Sequence, residues 1–136
     1  MSAAPAASSP TPAAVPRESA GSLAAPVSAL GASVVGLATR RRGAAAGVVL
    51  RPGVVVTAAS AIGHADKVRV AAPGGDTQTA AVRGIDPSTD LAVIEVTAET
   101  GPAAERRLGD SLRAGDVVFA VGREPSGLLH ASFGRL

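Results

Sequence analysis

The stretch Ala45-Ala46-Gly47-Val48-Val49-Leu50-Arg51-Pro52-Gly53-Val54-Val55-Val56-Thr57-Ala58-Ala59-Ser60 sets two Val-rich runs against each other across a Pro-Gly pair. Proline presets φ at the first corner of a turn, and glycine accepts positive φ at the second. Gly47–Leu50 and Val54–Thr57 are therefore read as strands joined by the turn Arg51-Pro52-Gly53. Working outward, Ser33–Ala38 reads as a short strand before it, with Arg40-Arg41-Arg42 as the connection. After it, Lys67-Val68-Arg69-Val70 alternates polar and apolar, as a half-buried strand does. Thr77–Ile85 follows a Pro-Gly-Gly turn. Leu91–Val96 is nearly continuously apolar, which predicts a strand covered on both faces. Six short strands at this spacing predict an all-β barrel or sandwich.

Beyond a polar connector over residues 97–107, Asp116–Val121 predicts a seventh strand and Ala131–Leu136 an eighth. Residues 1–31 are rich in Ala, Pro and Ser. Repeated prolines argue against a helix there and small side chains bury little area, so this segment is read as a disordered or polyproline-like leader. The organisation expected is thus a leader over 1–31, a first β-barrel over 32–107 and the start of a second unit over 108–136.

Composition narrows the chemistry. With two Phe, no Tyr and no Trp, the core must be built from Val, Leu, Ile and Ala. A formal charge of +2 is a weak footprint for nucleic acid, and the aromatics needed to stack bases are missing. The absence of cysteine removes disulfides and thiolate sites. His64 and His130 have no metal-ligand spacing. No cofactor is expected. No apolar run approaches the roughly 20 residues of a membrane span, and the start of the chain has no clear signal-peptide pattern.

Three segments in order resemble the HtrA type of trypsin-like serine proteases. The stretch quoted above is similar to that family's strand-turn-strand ending in T-N-N-H, or T-A-A-H in the wider trypsin group. Asp86-Pro87-Ser88-Thr89-Asp90-Leu91-Ala92-Val93 resembles D-P-x-T-D-L-A-V, whose second Asp is the triad acid. Leu108-Gly109-Asp110-Ser111-Leu112-Arg113-Ala114-Gly115-Asp116, continuing to Gly122, resembles the segment that opens the family's second barrel. The resemblance implies a chymotrypsin-like six-stranded antiparallel barrel plus the first strands of a second. It places Asp90 at the triad acid and Ser60 at the triad histidine. It also raises the bacterial envelope or a secreted fate as the expected location.

Triad chemistry requires an imidazole at the Ser60 position, because a hydroxyl has no basic form near neutral pH. Nor does any G-x-S-x-G occur in the 136 residues. Ser126-Gly127 is read as turn chemistry, and His64 as an exposed turn residue. Asp90 is expected to accept hydrogen bonds from the Ser60 hydroxyl and nearby backbone N–H groups, holding the loop before the sixth strand. The reading that follows is a catalytically inactive homologue with a vestigial or binding role. The alternatives are a fragment of an endopeptidase whose nucleophile lies beyond Leu136, and a non-enzymatic interaction module. The partner expected is protein or peptide, with self-association through the C-terminal hairpin.

Overall fold

The computed structural model describes residues 17–107 and 111–136. Leu108, Gly109 and Asp110 of the third family-like segment, and the first half of the leader, lie outside the described residues. In chain order the elements are α1 (Arg17–Gly31), β1 (Val34–Thr39), β2 (Gly43–Arg51), β3 (Val54–Ala58), α2 (Ala59–Ile62), β4 (Lys67–Ala71), β5 (Thr77–Asp86), β6 (Leu91–Glu95), β7 (Val117–Arg123) and β8 (Leu129–Arg135). A 3₁₀ turn over Ala98–Thr100 follows β6.

Strands β1 to β6 close into an antiparallel barrel in the order β1-β2-β3-β6-β5-β4, and β7 and β8 form a separate two-stranded hairpin. The Pro52-Gly53 corner behaves as its residues dictate, with Gly53 at φ +83°. Two irregularities help bend the sheet into a barrel. The β2–β3 register shifts between Val49 and Arg51, and the β5–β6 register shifts between Val82 and Gly84, leaving Arg83 as the extra residue of a bulge. That bulge aims Arg83 at Glu95, which it grips through two bonds, Nε to Oε2 at 2.8 Å and Nη2 to Oε1 at 3.0 Å.

The barrel interior is aliphatic throughout. Val35 and Leu37 of β1, Val49, Val55, Val68, Val70, Ala92 and Ile94 meet there, and α2 plugs one end with Ala59 and Ile62. Each fully buried Val, Leu or Ile contributes about 1.5–3 kcal/mol relative to exposure, so a core without aromatics is adequate at this size. Gly47 faces inward between Val35, Leu37 and Val55, where a Cβ would stand 2.6 Å from the Val55 Cγ1.

Two local expectations are corrected, the absence of any helix in the second half of the leader and the covering of β6 on both faces. Residues Arg17–Gly31 of the leader are helical, with Pro26 inside the helix. Proline forfeits one N–H and crowds the preceding turn, but the turns on either side and the packing of the helix end on β1 and β7 carry the element through it. Second, β6 is not covered on both faces. Ala92 and Ile94 point inward while Leu91 and Val93 are 48% and 37% exposed. The strand covered on both sides is β1, where Val34, Val35, Gly36 and Leu37 are all buried. Apolar content alone does not locate the second covering layer. The hairpin and α1 dock on β1, and that placement decides it.

Candidate functional site

Strand β3 delivers Thr57 to the barrel wall, where it is buried and its Oγ1 donates to the Ala46 carbonyl at 2.7 Å. The chain then turns directly into α2. Ala58, at the N-terminal boundary of that helix, has no side chain with which to cap it. The missing acceptors come from the loop before β6, which the β3–β6 register sets alongside by pairing Ala58 with Leu91. Ala59 N–H donates to the Asp90 carbonyl at 3.0 Å. Ser60 N–H donates to Asp90 Oδ1 at 2.8 Å, and the Ser60 hydroxyl donates to Asp90 Oδ2 at 3.1 Å. A carboxylate 30 residues away thus caps α2, supplying what a Ser or Asp at its own N-cap would.

Asp90 reaches this position by adopting φ +56°, the single non-glycine residue with positive φ among the described residues. Asp tolerates the left-handed region better than most residues because its short polar side chain bonds locally. The preceding turn is held by the other acid of the loop. Asp86 Oδ1 accepts from Ser88 N–H at 3.0 Å and from Ser88 Oγ at 2.6 Å, and Oδ2 accepts from Thr89 Oγ1 at 2.9 Å. These bonds, those of Ser88 first, hold the Asp86 carboxyl below its ordinary range. The loop therefore carries two carboxylates, one folding the turn and the other tying it to α2.

The structure brings Ser60 and Asp90 together with the hydrogen bonds expected of them. Both are exposed, rather than buried as a carboxylate locked in a protein interior would be. His64 lies in the turn after α2, also exposed, and makes no hydrogen bond to Asp90 or Ser60 among the described residues. Among those same residues no group of three His, Cys, Asp or Glu side chains could hold a metal ion, and no helix is long and apolar enough to cross a membrane.

One residue central to the architecture has no part in the sequence reading above. Arg123, at the end of β7, is 7% exposed. Its Nε donates to the Val34 carbonyl at 2.7 Å, one terminal nitrogen to the Gly31 carbonyl at 2.8 Å and the other to the Gly127 carbonyl at 2.7 Å. Burial pulls its pKa below the usual guanidinium value. Its place directly after an apolar strand and before the turn Glu124-Pro125-Ser126-Gly127 was the available signal. Gly36 completes the joint, since a Cβ there would collide with the Glu124 carbonyl.

Comparison with known proteins finds the same constellation of elements elsewhere. A family model described as "Trypsin-like peptidase domain" matches residues 45–136. A probable periplasmic serine endoprotease, DegP-like, from Chlamydia trachomatis is 40% identical over 81 residues, which is 60% of this chain and 16% of that protein. The putative serine protease HhoB of Synechocystis is 37% identical over 90 residues, 65% of this chain and 21% of that one. The mitochondrial serine protease HTRA2 of Bos taurus is 36% identical over 76 residues, 55% and 17% respectively. The crystal structure of the serine endoprotease from Yersinia pestis superposes with a TM-score of 0.70 at 27% identity, covering 80% of this chain and 42% of that one. The chain spans less than a quarter of the length of these sequence relatives and under half of the solved chain.

Proposed function

The chain belongs to the trypsin-like peptidase family, with HtrA/DegP-like serine proteases as its homologues, and from that premise we propose that it is a non-proteolytic member whose barrel serves in binding. One observation carries the proposal. Where the family's T-A-A-H motif has the general base, this chain has Ser60, and its hydroxyl is already donated to Asp90.

A protease of this class needs a neutral imidazole between nucleophile and acid, to take the nucleophile's proton and return it to the leaving amine. A serine hydroxyl between those partners has neither a basic form near neutral pH nor a second nitrogen to pass a proton through. Asp90, occupied by Ser60 N–H and Oγ, has its acceptor sites turned toward α2. In this reading the acid position survives because it caps a helix.

The test is active-site labelling. The 136-residue protein is expected to show neither casein hydrolysis nor covalent labelling by a fluorophosphonate. Stoichiometric labelling of any serine would overturn the proposal and favour a working endopeptidase.

A further inference from the structure

The β1–β2 turn, the segment following α2 and the outer face of β4 enclose a cleft of about 970 Å³. Arg40, Arg41 and Arg42 form one rim. The turn that carries them is fixed by a bond from the Arg42 N–H to Thr39 Oγ1 at 2.9 Å and by Gly43 at φ +75°. Lys67 and Arg69 line the cleft from β4. They stand two residues apart on a strand, so they share its outer face, and the register sets Arg69 opposite Ala38, which brings that face alongside the turn. The Arg42 guanidinium lies over Gly63, where a Cβ would stand 3.1 Å from Nε. Half-buried Ala38 and Ala65 also line the cleft.

The charge of this cleft is out of proportion to the molecule. Its five cations against the single lining carboxylate of Asp66 leave a formal +4 there, whereas the whole chain is +2, so everything outside the cleft sums to −2. Among the described residues the ion pairs are Arg83 with Glu95 and Arg107 with Glu105, and none of the five cleft cations is paired. Like charges gathered in a concavity focus their field and draw in a counter-charge.

We propose that this cleft binds an acidic, extended polypeptide segment. Arginines dominate the rim, and the guanidinium fork matches a carboxylate through two parallel bonds. The alanines of the lining accept small apolar side chains spaced among the carboxylates. The lining offers no Phe, Tyr or Trp ring on which a nucleobase would stack, His64 being its one ring. Neither Ser60 nor Asp90 lines the cleft, so the inference stands apart from the proposed loss of proteolysis.

The experiment is fluorescence anisotropy of a labelled Asp/Glu-rich peptide titrated with the 136-residue protein. Saturable binding is expected, weakening by about tenfold or more as salt rises from about 50 to about 500 mM. Arg40→Gln/Arg41→Gln/Arg42→Gln and Lys67→Gln/Arg69→Gln should each weaken it by about tenfold or more. Arg51→Gln and Arg106→Gln, exposed cations outside the cleft, should change it by less than about twofold, as expected for charges beyond a Debye length or facing bulk solvent. The charge-reversed Arg40→Glu/Arg41→Glu/Arg42→Glu protein should lose the acidic peptide while keeping a native circular dichroism spectrum. Three results would overturn the proposal: no saturable binding, equal losses in the control variants, or preferential capture of duplex DNA of matched charge.

Discussion

Asp90 joins three requirements in one residue. It occupies the left-handed region, its carbonyl accepts from Ala59 N–H, and its carboxylate accepts from both donors of Ser60, the N–H and the hydroxyl. These separate on substitution. Asp90→Ala removes the carboxylate and places a Cβ residue without a local bond at φ +56°. A lost helix cap costs about 0.5–2 kcal/mol and the left-handed backbone about 1 kcal/mol more, so a loss of about 1.5–3 kcal/mol is expected. Asp90→Asn keeps an acceptor and tolerates the backbone, and should cost less than half as much. Asp90→Gly relieves the backbone and isolates the cap. Urea denaturation of the three variants checks this, and equal midpoints for wild type and Asp90→Ala would show the cap to be idle. Ser60 was legible from sequence as a departure from a motif. Its hydroxyl and backbone bonds to Asp90 were legible only through the family resemblance, because a cap supplied from 30 residues away leaves no local pattern.

Among the elements, the β7–β8 hairpin is the one whose placement the tertiary structure determines. Phe119 and Phe133 face each other across it with ring centroids 6.0 Å apart, while Val117, Phe133 and Leu136 are more than half exposed. Two strands alone are marginal in water. Here one end is anchored on β1 by Arg123, which has no carboxylate partner among the described residues and relies on three carbonyls. Arg123→Met should destabilise the hairpin by about 3 kcal/mol, because charge-assisted bonds are lost and buried carbonyls are left unpaired. Lysine cannot rescue it, since a single ammonium cannot reproduce the planar fork. Hydrogen exchange should show lost protection over 117–135 with the six-stranded barrel retained. Light scattering should show self-association at lower protein concentration, as the freed strand edges pair between molecules. Unchanged protection would mean that the arginine is not the anchor.

For the molecule as a whole, acid stability follows from two carboxylates whose pKa values are lowered. Asp86 is lowered from 3.8 by Ser88 and Thr89, and Glu95 from 4.5 by its hydrogen bonds and charge pairing with Arg83. A group whose folded pKa is depressed binds fewer protons when folded than when unfolded. Its contribution is therefore complete above the unfolded values and is lost as pH falls through them toward the lower folded ones. Both groups are exposed, so the effect is small and weakens in salt. The urea midpoint should be flat above about pH 5 and fall through the ordinary carboxylate range. Glu95→Gln should flatten part of that fall, and a midpoint rising on acidification would contradict the assignment. At this scale the division between sequence and structure is physical. Strand positions, turns and the aliphatic core were determined by the sequence alone, because side-chain alternation and Pro-Gly corners act within a few residues. The pairing of Ser60 with Asp90 was foreseen only through resemblance to a family motif. Which face of each strand is covered, where the hairpin docks, how Arg123 is buried and how five cations come to share one cleft were decided by the tertiary structure. Those features depend on contacts between residues far apart in the chain, which only the closed barrel brings together.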